Sequence, residues 1–298
     1  MKKFLLAVMA LVLACGIGFA AVGCNSNEPA DAIHVFVRED GSGTRDAFEE
    51  KFGIENLKGE VDTHQSTSAM MNAVAGDEYA IGYVSLGSIN STVKALTIGG
   101  EVASKDNVYA NINNESEGYA YWRYFNVAYK QATMDTNVLL ADFFEYIMSQ
   151  DAQTAIEEEN YFSTVGDHAA YTPDPQIASL TGDAAVLDVG GSSSVHPLML
   201  VLAEDYKALH SNVTINVEQL DSTAGATGAN DGTFDLGMLS RELKTEEAAN
   251  LVGAHIAVDG IAIVVNNANT VADLTAAQVK DIFEGKITAW SEITGEAE

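Results

Sequence analysis

The sequence predicts an α/β protein of about two domains. Short apolar strand patterns alternate with helix patterns from residue 33 to residue 283, the signature of helices covering sheets. The 298 residues, 47% hydrophobic and 19% charged, suit a globular chain of that size. Four prolines in the whole chain argue against long disordered linkers.

The elements follow in order. Ile33–Val37 reads as a strand and Thr44–Lys51 as a helix start. Ser66–Ala75 is helical, with Met70, Met71 and Val74 on one side. Ala80–Ser85 and Phe125–Tyr129 are strands, and Val138–Met148 is a strongly apolar helix. Strand Val186–Val189 precedes helix Pro197–Leu209, and strand Val213–Leu220 alternates. Phe234–Met238 is a short strand and Glu246–Val252 a helix. Ile261–Val265 is a buried strand and Thr275–Phe283 a helix. Gly166–Ala184, with both prolines of "YTPDP", reads as a connector.

The start of the chain is set apart. Lys2 and Lys3 precede an apolar run from Phe4 to Val22, followed by Gly23-Cys24 and a polar stretch. A basic start with an apolar core reads as a secretory signal over residues 1–23; a transmembrane anchor is the rival, since the run is near the shortest spanning length. Ala21-Val-Gly-Cys24 resembles the bacterial lipobox, which implies lipidation of Cys24, a linker over 24–30 and attachment to the extracellular face of the cell membrane. Cys15, inside the apolar run, is the weaker candidate. With Cys24 acylated, the mature chain has no free thiol and no disulfide, so the fold rests on its core.

The formal net charge is −28, from 43 acids against 15 lysines and arginines. Without a basic stripe, nucleic acid is excluded as the expected partner. The six histidines are scattered with no metal-binding spacing, so no metal and no cofactor is expected.

Three segments share one chemistry. In "VFVREDGSGTRDAF" a strand ends at Arg38, glycines 41 and 43 allow close backbone approach, and Ser42 and Thr44 bring hydroxyls to a helix mouth. The first amides of that helix are unpaired and its dipole is positive there, so an anion fits. Arg38 can add a charge-assisted contact. A lone Ser or Thr before a helix is far more often a cap. The pattern recurs, however, in "VLDVGGSSSVHP" and in "VEQLDSTAGATG". Three converging mouths make an amide- and hydroxyl-lined oxyanion cage outside the strand ends. Such a cage works at hydrogen-bond range, whereas the distant acids are screened beyond about 8–10 Å.

These segments resemble the phosphate-binding proteins of bacterial phosphate ABC transporters. The resemblance extends to "FDLGMLSRELKTEE" (Phe234–Glu247), "IAVDGIAIVVNNAN" (Ile256–Asn269), "LTAAQVKDIFEGKITAWSEI" (Leu274–Ile293), "AIGYVSLGSI" (Ala80–Ile89) and "VKALTIGG" (Val93–Gly100). It covers nearly all of the mature chain. It implies a two-lobe, type II periplasmic-binding-protein-like fold with a hinged cleft, and a non-enzymatic partner of an ABC permease that binds inorganic phosphate. It carries the anion contacts to Arg38, Ser42, Gly43, Thr44, Ser193, Ser194 and Ser222, with Asp40 orienting Arg38. Where well-studied members have an aspartate, this chain has Ser240, which implies weaker discrimination between hydrogen phosphate and sulfate. Arg241 either reaches the anion or pairs with a surface acid; the surface pair is favoured.

The order of the segments departs from the family. The half that normally finishes the fold comes first, residues 31–165, and the half that normally begins it follows, residues 186–298. The sequence resembles a circular permutation, with lobe 2 at 31–88 plus 267–298 and lobe 1 at 89–266. A monomer is favoured over a half-swapped dimer. Two other functions compete: a receptor or sensor for another oxyanion such as sulfate, and a phosphate-ester hydrolase. Against the hydrolase, "GSGT" is not a nucleophile elbow, and His196, the one histidine beside a serine mouth, suits a packing role better than that of a base.

Overall fold

The computed structural model describes residues 29–58, 61–164 and 166–295. Cys15, Cys24 and the apolar run at the start lie outside the described residues. Asp31–Glu298 form one unit. Its strands are β1 (His34–Arg38), β2 (Asp62–His64), β3 (Ala80–Ser85), β4 (Val93–Ala95), β5 (Thr97–Ile98), β6 (Trp122–Tyr129), β7 (Val186–Ser192), β8 (Thr214–Leu220), β9 (Leu236–Leu239), β10 (Val252–Asn266) and β11 (Asp273–Leu274). Its helices are α1 (Gly43–Phe52), α2 (Thr67–Gly76), α3 (Lys105–Asn113), α4 (Gln131–Met134), α5 (Val138–Ile147), α6 (Gln150–Glu158), α7 (His196–Leu209), α8 (Ser222–Asp231), α9 (Thr245–Ala248), α10 (Ala276–Phe283) and α11 (Ser291–Thr294).

The main sheet runs β2-β1-β3-β10-β6-β9-β7-β8, with β4 on β10. Its two wings are parallel: β1 pairs with β2 and β3, and β7 with β8 and β9. The middle is antiparallel, where β10 pairs with β3 through residues 261–265 and with β6 through residues 252–260. Two strands therefore belong to both wings, β6 and β10.

Each wing is covered on both faces, as parallel sheets require. One wing buries Val35, Val37, Phe48, Tyr83, Leu96, Tyr119, Ile261 and Phe283 on one face, and Phe36, Met70, Val74 and Val264 under α2 on the other. The second wing buries Phe125, Val127, Leu140, Phe143, Leu187, Leu198 and Met238 on one face, and Ala128, Ala226, Ala229 and Leu239 under α8 on the other. The small residues of α8 allow the close packing: a Cβ on Gly225 would stand 2.7 Å from the Met238 carbonyl oxygen.

The helix expected over Glu246–Val252 is shorter. It stops at Ala248, and Val252 already starts β10. The apolar run Ile261–Val265 is only the buried end of that fifteen-residue strand, whose first four residues are mostly exposed and carry no strand-like apolar pattern. Their pairing with β6 makes them a strand. Besides the one-turn α4 and α11, two longer helices gave no signal either. α3 is rich in asparagine and is started by the Ser104 cap, whose Oγ accepts from the Asn107 amide at 3.3 Å. Polar α6 is capped in the same way by Ser149.

The connector is pinned by one buried carboxylate. Asp142 on α5, 3% exposed, accepts from the hydroxyls of Tyr171 and Tyr206 and, at 2.7 Å, from the Asp174 amide. The Tyr171 proton is committed to Asp142, so His210 Nε2, 2.8 Å from the Tyr171 oxygen, is the donor in that contact. Asp142→Ala leaves two buried hydroxyls and an amide without their acceptor. It is expected to lower stability by about 2–4 kcal/mol and to open Gly166–Ala184 to protease. Denaturant unfolding and limited proteolysis check this; wild-type resistance in the variant would refute it.

The two ends of the described unit meet. The Asp31 carboxylate accepts from the Ser291 amide at 2.6 Å, the Trp290 amide donates to the Asp31 carbonyl at 3.1 Å, and the Ile33 amide donates to the Thr288 carbonyl at 2.7 Å.

Candidate functional site

Four helix mouths gather between the wings. α1 begins where β1 ends, with Gly41 at φ 91° making the turn and Ser42 capping the helix. α2 is capped by Ser66. β7 ends in Ser192 and leads through Ser193–Val195 into α7, which carries Pro197 in its first turn, where a missing N–H costs nothing. α8 is capped by Asp221, whose Oδ1 accepts from the Ala224 amide at 2.8 Å.

Their hydroxyls touch across the gap between the wings. Ser194 Oγ lies 2.8 Å from Thr44 Oγ1 and 2.9 Å from Thr67 Oγ1. Arg38 Nη2 donates to Ser193 Oγ at 2.9 Å, and Nη1 to Thr67 Oγ1 at 3.3 Å. Ser192 donates to Ser240 Oγ at 2.9 Å, and the Ser240 amide donates to Ser222 Oγ at 3.0 Å. Gly43 is pressed against the same group, because a Cβ there would stand 2.4 Å from Ser222 Oγ. All these polar side chains are buried. Arg38, Gly43, Thr44 and Thr67 come from one wing, and Ser192–Ser194, Ser222 and Ser240 from the other. The result is a buried cage of hydroxyls, amides and one guanidinium, suited to a small tetrahedral anion.

Most of the residues singled out in the sequence thus come together: Arg38, Gly43, Thr44, Ser193, Ser194, Ser222 and Ser240. Ser42 is adjacent and buried, but its hydroxyl is taken by its own helix, accepting from the Arg45 amide at 3.4 Å. Asp40 does not orient Arg38. It lies beyond the strand in the turn, its side chain is 96% exposed, and it pairs with Arg45 at 2.6 Å. Glu39 does the work expected of Asp40, receiving Arg38 Nε at 2.8 Å and Nη2 at 2.7 Å. Glu39 is itself buried, which leaves the pair electrically neutral and fixes the direction of the free guanidinium edge.

Arg241 pairs with acids, as favoured, but not on the surface: it is 6% exposed. It holds Glu247 by bonds of 2.7 and 2.8 Å and reaches Asp46 of α1 at 3.0 Å. Burial alone would raise the Glu247 pKa; the bonds from Arg241 and the Lys244 amide outweigh it and hold the carboxyl below its ordinary value. Lys244 also reaches Asp46, at 3.3 Å, and the Thr223 amide donates to the Gly41 carbonyl at 3.2 Å, so the rim of the cage is tied from wing to wing. His64, whose carbonyl accepts from Arg38 Nε, has its pKa lowered chiefly by burial, with the Arg38 charge adding to the effect.

Sequence reasoning missed Thr67, Ser192 and Glu39. Thr67 stands in "HQSTSAMM", a hydroxyl-rich helix mouth like the other three but without their glycines. Ser192 was part of the serine mouth and is singled out only by its bond to Ser240. His196 points elsewhere: its ring sits at the backbone of Val217, and burial lowers its pKa.

Parallel wings joined by shared strands, with an anion cage between them, define a binding protein of the periplasmic type. In agreement, a family model described as "PBP superfamily domain" matches residues 25–151 and 176–298, and the chain belongs to that superfamily. More particularly, it is 40% identical to the phosphate-binding protein PstS 2 of Streptococcus agalactiae serotype V, covering 99% of this chain and 100% of that one. It superposes on the crystal structure of a phosphate ABC transporter phosphate-binding protein from Streptococcus pneumoniae TIGR4 with a TM-score of 0.67 at 38% identity, covering 88% of this chain and 99% of the other. The phosphate-binding protein PstS of Bacillus subtilis matches differently: 32% identity over 112 residues, 37% of each chain.

Proposed function

We propose that this chain binds inorganic phosphate as the solute-binding protein of a phosphate ABC transporter. The observation that carries the reading is the cage itself: Arg38, Thr44, Thr67, Ser193, Ser194, Ser222 and Ser240, buried and in mutual contact, contributed by both wings. The similarity to phosphate-binding proteins along the whole chain supports it. Binding closes the cleft by drawing the two sets of hydroxyls around the anion. Titration calorimetry with phosphate, with sulfate as competitor, is the test. Heat from phosphate is expected, and sulfate as the only ligand that binds would replace phosphate by the alternative oxyanion.

Ser240 sets the selectivity in this reading. A carboxylate at this wholly buried position would accept the proton of hydrogen phosphate and repel fully ionised sulfate. Ser240→Asp is expected to weaken sulfate competition by about tenfold or more relative to phosphate. Equal competition before and after the change would remove Ser240 from the cage.

The lobes are taken as the two wings. We take their crossings to lie between Tyr119 and Phe125 and between Ala257 and Val258; the membership of those residues in two cores supports this division over one at 89 and 267. The permuted order is supported by the meeting of Asp31 with Ser291 and by the partial match to the Bacillus subtilis protein. A rearranged chain running 185–298 and then 30–166 should fold and bind alike; failure to fold would count against the permutation. Cys24 is the proposed lipid anchor to the outer face of the membrane, and labelled fatty acid should enter the wild type but not Cys24→Ser. A single-chain mass in light scattering is expected, against the half-swapped dimer.

A further inference from the structure

Arg123 on β6 is 5% exposed, yet among the described residues its guanidinium makes one hydrogen bond, from Nη2 to Asp259 Oδ2 at 3.0 Å. Its Nε and Nη1 are buried without an acceptor. Asp259 on β10 is better satisfied, accepting from Ser85 Oγ at 2.8 Å and from the Gly87 amide at 3.4 Å. The pair sits where the two shared strands pass between the cores: Phe125 and Ala257 belong to one core, Val258 and Ile261 to the other. It also ties the end of β3 to that crossing.

A buried guanidinium with two idle donors is costly, because those N–H groups have left water and gained no acceptor, the guanidinium having only the Phe125 ring 5.4 Å from it besides Asp259 among the described residues. The setting adds to the cost. Burial lowers the Arg123 pKa despite Asp259, and the positive charge of Arg38 opposes it further. Gly87, whose amide donates to Asp259 at 3.4 Å, and Ser88 line a cavity of about 260 Å³ that Tyr161, Ser193 and Pro197 complete. Parting the wings would widen this cavity.

We propose that Arg123 is a positioning residue that biases the hinge toward the open form. Closure strips water from two of its donors, so the ligand-free chain rests open and the anion contacts at the cage supply the free energy of closing. This rests on the phosphate-binding reading only for the identity of the anion; the bias itself is a property of the ligand-free chain. It predicts that removing the idle donors makes the ligand-free protein more closed and, because more of it is competent to bind, tightens its hold on the ligand.

The test is Arg123→Met with Asp259→Asn, which keeps an acceptor for Ser85 and Gly87 and removes both charges. Small-angle scattering of the ligand-free full chain should show a smaller radius for the double variant than for the wild type. Phosphate affinity should rise by about fivefold or more. Arg123→Lys, which keeps a charged donor at the crossing, should scatter like the wild type. A purely structural role predicts the reverse for binding, a looser site and weaker affinity. A double variant with an unchanged radius overturns the proposal. If the double variant does not fold, Arg123→Gln decides, since it keeps a donor for Asp259 and removes the idle ones: a ligand-free radius equal to that of the wild type overturns the proposal, and a smaller one supports it. A wild type that gives no heat with phosphate would sink the phosphate reading instead and leave the scattering comparison standing.

Discussion

Arg38→Met should reduce phosphate affinity by about 100-fold or more. Among the described residues Arg38 is the one cation bonded to the cage hydroxyls, and its free edge reaches Ser193 and Thr67. Charge-assisted bonds to an anion in a buried site are worth about 1.5–3 kcal/mol each, so the loss of a bidentate contact is several kcal/mol at the outside. The substitution has a second effect. It leaves the buried Glu39 carboxylate without its partner, which costs stability of about 3–5 kcal/mol. The two effects separate in the double variant Arg38→Met, Glu39→Gln, which should regain most of the thermal stability and none of the affinity. Calorimetry and thermal unfolding read both. An affinity within threefold of wild type would take Arg38 out of the site, and an unstable double variant would take Glu39 out of the role given to it.

Gly43→Ala should weaken phosphate binding by a similar factor for a different reason. Gly43 lies at the first turn of α1 without positive φ, so alanine is allowed by the backbone and favoured in a helix by about 0.5–1 kcal/mol. The added Cβ would stand 2.4 Å from Ser222 Oγ and 2.9 Å from Ser240 Oγ and Arg241 Cγ. All three neighbours belong to the other wing. The clash therefore exists only in the closed arrangement, and an open cleft accommodates the methyl group freely. The ligand-free variant should melt at or slightly above the wild-type temperature, while the rise in melting temperature on adding phosphate, which follows from binding to the folded state, should be lost. A variant that unfolds early without ligand would mean that the contact is a fixed packing contact rather than a closing one.

Seen from particular elements, the fold was legible wherever a strand or helix carries its own apolar pattern. Ala80–Ser85 is buried at every position and is found at the expected bounds. The apolar helix at Val138 and the capped helix at Thr275 are found with their ends shifted by a residue at most. What escaped has no pattern of its own. Val252–His255 is strand because β6 runs beside it, and α3 is helix because Ser104 starts it and Tyr119 returns a bond to it, the Tyr119 amide donating to the Asn107 carbonyl at 2.8 Å.

The site divides along the same line. The residue types that bind an oxyanion were written in the sequence, because strand-to-helix turns need glycines and hydroxyls whose spacing is local. The turns brought forward Arg38, Gly43, Thr44 and the serines after Gly191 and Asp221, and the resemblance to phosphate-binding proteins singled out Ser193, Ser194 and Ser222 among them. Which acid steadies Arg38 could not be named from them, since Glu39 and Asp40 are neighbours and only the end of β1 decides that the first turns inward and the second outward. Nor could the membership of Thr67 and Ser192, or the burial of Arg241, be read locally. Those facts depend on two wings meeting across β6 and β10. The sequence by itself determined the chemistry of each helix mouth, because capping and dipole act within a single turn. The tertiary structure alone decided which mouths share one cage, because that depends on contacts between residues some 150 positions apart, such as Thr44 and Ser194.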